Sequence, residues 1–119
     1  MQKKMGPRDW IATVRFIAVD RTRRKRSIAV RIGKPYRFAK RWACPVDSGL
    51  HGRVADARGG DSFHALCLAI SLVRALVEDF LERGGRILDP EDGTEWPRDS
   101  IGALFGWKQI KLNPLPKNG

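Results

Sequence analysis

Cysteine is nearly missing from this chain: there are 2 cysteines and 2 histidines in 119 residues. Cys44 and Cys67 make no disulfide framework. None is needed, because stapling becomes usual only below about 40 residues. With so few thiols a reducing cytoplasm is the default compartment. Long apolar runs are missing too. The longest stretch without a charge is Ser62 to Val73, well short of the roughly 20 residues that cross a bilayer, so no membrane partner is expected. Arg15 interrupts the apolar run near the N-terminus and no small-residue cleavage pattern follows it, so no signal peptide is read. No internal repeat or low-complexity tract is present.

Acidic residues are scarce where basic ones are dense. The formal charge is +10, and residues 1–54 carry 15 Lys/Arg against 3 Asp/Glu, while residues 55–119 carry 8 against 10. A half at +12 beside a half at −2 implies an electropositive face, which attracts phosphate or an acidic protein surface. The plainer reading is an Arg-rich protein with no nucleic-acid partner.

The organisation is that of one domain. Residues 1–9 read as a basic arm, residues 10–112 as a single α+β domain and residues 113–119 as a tail. Trp10 to Val19 is β-branched and aromatic, and Ser27 to Ile32 alternates, so the two predict antiparallel strands joined by "DRTRRKR", residues 20–26. Residues 33–40 begin as a turn. "RWACPV" predicts a third strand with Trp42, Cys44 and Val46 on one face, at an edge or end where Pro45 withholds an N–H. "DSGLHG" reads as a turn cluster and Gly52 to Arg58 as a short fourth strand.

The strongest local signal is a helix from Asp61 to Arg83, with Asp61 as N-cap and Gly84-Gly85 as stop. Phe63, Leu66, Cys67, Ile70, Val73, Val77, Phe80 and Leu81 share its expected inner face. Leu68, Leu72 and Leu76 form a second apolar face, to be covered by Ile101, Leu104, Phe105 and Trp107 or else by a second copy. Beyond it, "RILDPEDGTEW" reads as a hairpin turning at Pro90 to Gly93. "DSIGALFGW" reads as a helical turn capped by Asp99, and "KQIKL" as a last short strand. The expected architecture is an antiparallel sheet of about four strands with one long helix across a face.

With "RWACPV" followed by "GGDSFHALCLAISLVRALVEDFLERGGRI", residues 10–88 resemble a small uncharacterised bacterial domain family. There, N-terminal strands precede a helix opened by an Asp-Ser pair and an Ala-Leu step. The resemblance implies a fold of this shape, no assigned activity and no functional residue. "RTRRKR" and residues 89–119 depart from its pattern.

The candidate site is basic. Arg21, Arg23, Arg24, Lys25 and Arg26 can neutralise several phosphates, and each Arg offers a bidentate fork. Arg37, Lys40 and Arg41 extend the patch, as do Arg15, Arg31, Lys34 and Arg53. Tyr36, with Phe38 and Trp42, interleaves aromatic faces suited to unstacked bases. The competing explanations are a solvated hairpin tip, and for Trp42 a core position. No zinc-finger spacing, RNP sequence or GXXG loop is present.

Cys44, His51, His64 and Cys67 lack the paired spacing of zinc motifs, and Cys67 fits an apolar stripe, so neither metal nor other cofactor is expected. Asp47, Ser48 and His51 are close in sequence, as are Asp61, Ser62 and His64, but triads are assembled from separate parts of a fold. The acidic cluster Asp89, Glu91, Asp92 and Glu95 suits a surface turn, and no enzyme is expected. The sequence points to a binding protein for nucleic acid or nucleoprotein. The alternative is an adaptor, inhibitor or immunity-type protein docking on an acidic protein, as a monomer or as a homodimer through the helix.

Overall fold

The computed structural model describes residues 9–52 and 54–106. Two long strands dominate it, β1 (Trp10–Val19) and β2 (Lys25–Gly33). They pair antiparallel with Val14 opposite Val30 and Phe16 opposite Ile28, so one face collects apolar side chains. Phe16, Ala18, Ile28 and Val30 are buried there. The alternation that defines this face was visible in the sequence, and β2 is longer than expected at both ends.

The strands that follow are short: β3 (Tyr36–Phe38), β4 (Arg41–Cys44), β5 (Val46–Asp47) and β6 (Ala57–Gly59). Together with β7 (Arg86–Leu88) they form two antiparallel sheets. One has four strands in the order β5-β2-β1-β7, the other three in the order β3-β4-β6. The four-stranded antiparallel sheet is the one expected, and the three-stranded sheet is additional to it. Residues 36–38, expected in a turn, form β3, and the expected strand "RWACPV" is divided between sheets at Pro45. A Cβ added at Gly33 would meet Pro45 Cγ at 2.9 Å, and the Gly33 amide donates to the Pro45 carbonyl. The chain therefore crosses between sheets where Pro45 cannot continue a ladder. The expected strand over 52–58 is shorter, beginning at Ala57.

The helix α1 (Ser62–Glu82) forms where the sequence placed it. The Asp61 carboxylate accepts the His64 amide at 2.7 Å, which satisfies one of the free donors of the first turn. At the other end the Gly85 amide donates to the Phe80 carbonyl and the Gly84 amide to the Leu81 carbonyl. This Schellman pair needs a left-handed residue, and Gly84 supplies it with φ +92°.

The face α1 turns inward agrees with expectation at Val73 and Val77, and at Leu66, Phe80 and Leu81, which pack on the core, but it differs toward the start of the helix. Ala65, Ala69, Val73 and Val77 are buried, whereas Phe63 is 73 % and Ile70 38 % exposed, and Cys67 is exposed. Close approach is the reason: a Cβ on Gly59 would stand 2.5 Å from the Ala65 amide nitrogen, so only small side chains fit between α1 and β6. Burial of Val73 and Val77 contributes roughly 1.5–3 kcal/mol each. On the second apolar face, Leu72 packs on the core and Leu68 remains exposed.

After β7 the chain turns back, with Leu88 bridging to Glu95 and the Trp96 ring 5.9 Å from that of Phe16. The helix α2 (Arg98–Leu104) starts from Pro97 rather than Asp99, which lies inside its first turn. Pro supplies the φ with which a helix starts. Ile101 is buried and Phe105 packs against the core, as expected, while Leu104 is 49 % exposed. Trp107, "KQIKL", the tail and residues 1–8 of the arm lie outside the described residues, as does Arg53.

Candidate anion-binding cleft

The loop joining β1 to β2 is built by Asp20. Its Oδ1 accepts the Thr22 amide at 2.9 Å, the Thr22 hydroxyl at 2.6 Å and the Arg24 amide at 3.0 Å. The Thr22 hydroxyl, then the Arg24 amide, hold this carboxyl below the usual Asp range. Arg23 takes the left-handed conformation, φ 70°, and its amide donates to the Asp20 carbonyl at 2.8 Å. The one acid of "DRTRRKR" is thus turned onto the loop's own amides. Arg21, Arg23, Arg24, Lys25 and Arg26 are all exposed, and among the described residues none of them is ion-paired.

The strands divide these cations between two sides. Val19 stands opposite Lys25 on β2 and opposite Arg86 on β7, so Lys25 and Arg86 project from the same side, two strand spacings or about 10 Å apart. Arg26 lies opposite Ala18, one residue out of phase, and projects from the other side. An open cleft of about 550 Å³ is lined by Val19, Asp20, Arg21, Arg23, Lys25, Gly84 and Arg86. Gly84 brings the end of α1 against the hairpin, where a Cβ on it would meet Arg21 Cβ at 3.2 Å. Arg86 pairs with Glu95 at 3.3 Å through exposed side chains, a contact weak enough to yield to a stronger anion. The C-terminal end of α1 also favours a nearby cation, which gives Arg21 a structural role beside any ligand role.

Tyr36, Arg37, Lys40 and Arg41 are not part of this cleft. They belong to the β3–β4 hairpin, beyond the opposite end of β2, roughly 26 Å away at about 3.3 Å per residue. Register divides them further. Phe38 faces Arg41 and Tyr36 faces Ala43, while Arg37 faces Trp42 on the other side, its guanidinium 5.6 Å from the Trp42 ring. Lys40 sits in the connecting turn with Ala39 at φ 56°. Arg31 pairs with Asp47 at 2.6 Å and lies 4.5 Å from the Trp10 ring centroid. Arg86 was missed in the sequence because it lies 60 residues from the loop it joins; only the β1–β7 register reveals it.

The remaining polar residues are occupied separately. Cys44 donates to the Gly33 carbonyl, and burial pushes its thiol up to about 11. His51 Nε2 lies 3.4 Å from Asp79, and His64 Nδ1 accepts the Gly60 amide. Ser48 is buried and accepts the His51 amide at 3.2 Å. Asp89 accepts the amides of Glu91 and Asp92 and the Trp96 indole N–H. Among the described residues no three His, Cys, Asp or Glu side chains gather as a metal site, and no helix is long and apolar enough to cross a membrane.

Searches of curated proteins and of solved structures return no match to this chain. A family model does match, over residues 13–96, which is more than half of the chain and carries the resemblance past residue 88 to Trp96. The chain belongs to the family described as Domain of unknown function (DUF6968).

Proposed function

We propose that this chain is a non-enzymatic binding protein that holds phosphate groups of a nucleic acid or nucleoprotein in the cleft between the β1–β2 loop and β7. The observation that carries the reading is the convergence of Arg21, Arg23, Lys25 and Arg86 on one open cleft, with the loop's only carboxylate turned onto backbone amides. Exposed cations around an open, polar depression, with Arg86 held only by its surface pair to Glu95, suit a phosphate backbone passing over it better than an enclosed small molecule, whose pockets are mostly apolar. Asp20, Asp61 and Asp89 accept backbone amides, a structural use that supports a binding role over a catalytic one. The free thiols of Cys44 and Cys67 fit a cytoplasmic location.

The test is titration of dye-labelled duplex and single-stranded DNA and RNA at about 50 mM salt, where phosphate contacts are strong. The combined variant Arg21→Ser, Arg23→Ser, Lys25→Ser is expected to lose most of the affinity, and Arg24→Ser with Arg26→Ser to lose less. No binding by the wild-type protein would refute the reading.

The second reading, an adaptor or inhibitor docking on an acidic protein, is favoured by the apolar side chains that α1 leaves exposed, Phe63 and Ile70. A partner protein lost on cleft substitution, with nucleic acid removed by nuclease, selects it.

A further inference from the structure

We infer that the outer face of the second sheet is a stacking platform for unpaired bases, so that the nucleic acid engaged by this chain is single-stranded where it meets β3, β4 and β6. The inference rests on the nucleic-acid reading of the cleft and adds to it a second site of different chemistry.

Side chains of a strand alternate between faces, and the register therefore decides which residues share this one. Tyr36 opposes Ala43, Phe38 opposes Arg41, and Ala43 opposes Arg58. Trp42, Cys44 and Gly59 are out of phase with them, and Gly59 lies against α1. Tyr36, Phe38, Arg41 and Arg58 consequently stand on the side away from the helix. Phe38 is 44 % exposed, and Arg41 and Arg58 are exposed. The Arg58 guanidinium lies 4.5 Å from the Phe38 ring centroid. Asp56 accepts the Tyr36 hydroxyl, which fixes that ring at the edge of the platform.

An aromatic ring among arginines on an open face matches a base and its phosphate together. A base takes the guanidinium's place over Phe38, or stacks on the guanidinium itself, and Arg58 and Arg41 then meet the flanking phosphates. The charge is complementary: both cations on this face lack an ion pair among the described residues. A duplex keeps its bases stacked inside and has none to offer, so it gains only the charge.

The probes are a dye-labelled oligothymidylate and a duplex of the same length, titrated by fluorescence anisotropy at about 50 mM salt. Phe38→Ala is expected to weaken oligothymidylate binding about tenfold or more and to leave the duplex within about twofold. Phe38→Leu keeps the apolar cover but not the ring and is expected to behave as Phe38→Ala, while Phe38→Trp restores binding. Arg58→Lys is expected to fall short of the wild type, because an ammonium cannot stack. Circular dichroism confirms that each variant is folded. Equal effects of Phe38→Ala on both probes, no effect on either, or full binding by Phe38→Leu would overturn the platform. The cleft reading fails separately, if the Arg21, Arg23, Lys25 triple variant binds both probes as the wild type does. A wild-type protein that binds neither probe overturns both.

Discussion

The carboxylate of Asp20 accepts the backbone amide of Arg24 at 3.0 Å. An acid in the most basic stretch of the chain thereby shapes the loop instead of neutralising it. Two substitutions separate shape from charge. Asp20→Asn and Asp20→Ala remove the same charge, but only Asn keeps an acceptor for the Thr22 and Arg24 amides. Asp20→Asn is expected to bind polyanions at least as tightly as the wild type, and Asp20→Ala severalfold less tightly than Asp20→Asn. Equal affinities would show that the loop's conformation is irrelevant to binding.

The contact of Gly59 with α1 sets a second expectation. Gly59→Ala places a methyl 2.5 Å from the Ala65 amide nitrogen, which is backbone and cannot rotate away. Overpacking of this kind costs about 1–3 kcal/mol. Chemical denaturation reads it as a lower midpoint with an unchanged slope. Gly60, one residue earlier than the Asp61 cap, has open space at its Cβ position, so Gly60→Ala is expected to be mild by comparison.

The two thiols should separate cleanly. Cys44 is fully buried and its thiol is pushed up to about 11 by burial, whereas Cys67 is exposed. The thiolate is the reactive form. An alkylating reagent at pH 8 is expected to modify Cys67 in the folded protein and both thiols after unfolding, as counted by mass spectrometry. Labelling of Cys44 under native conditions would contradict its place in the core.

Acid should weaken the fold. Asp20, Asp79 and Asp89 are each held below the usual Asp range, by the Thr22 hydroxyl, by Arg83 and by the Glu91 amide respectively. A depressed folded value means that the unfolded chain takes up the proton first. The stabilisation is therefore complete above the unfolded Asp value of about 4 and is lost as pH falls through the folded values. Thermal unfolding between pH 7 and pH 2 is expected to show this loss, and Asp89→Asn to flatten it. A midpoint that does not move over that range would remove these contacts from the account.

The sequence made some of this legible and hid the rest for physical reasons. The ends of α1 were readable because Asp61 and Gly84-Gly85 act locally. Its inner face was readable at Val73 and Val77, which are buried as expected, but not in the first turns, because hydropathy favours Phe63, Cys67 and Ile70, while the close approach of β6 admits only Ala65 and Ala69. The β1–β2 hairpin was readable from ten-residue alternation. The second sheet was hidden, since strands as short as Tyr36–Phe38 and Ala57–Gly59 carry no period. Of the candidate site, the loop cations were plain in the sequence. Arg86 was not, nor was the separation of Arg21–Arg26 from Tyr36–Arg41, because both depend on strand register.

The salt dependence of binding tests the central claim most directly. Each phosphate neutralised on duplex DNA contributes about −0.9 to the slope of log K against log salt. If the cleft grips phosphates, the Arg21→Ser, Arg23→Ser, Lys25→Ser variant is expected to have a slope shallower than the wild type by two to three units. Arg24→Ser with Arg26→Ser, at two positions that do not line the cleft, is expected to change it by less than one. Exposed substitutions of this kind leave stability within about 0.5 kcal/mol, so the comparison is between folded proteins. A triple variant with the wild-type slope would contradict the cleft as the site of phosphate contact.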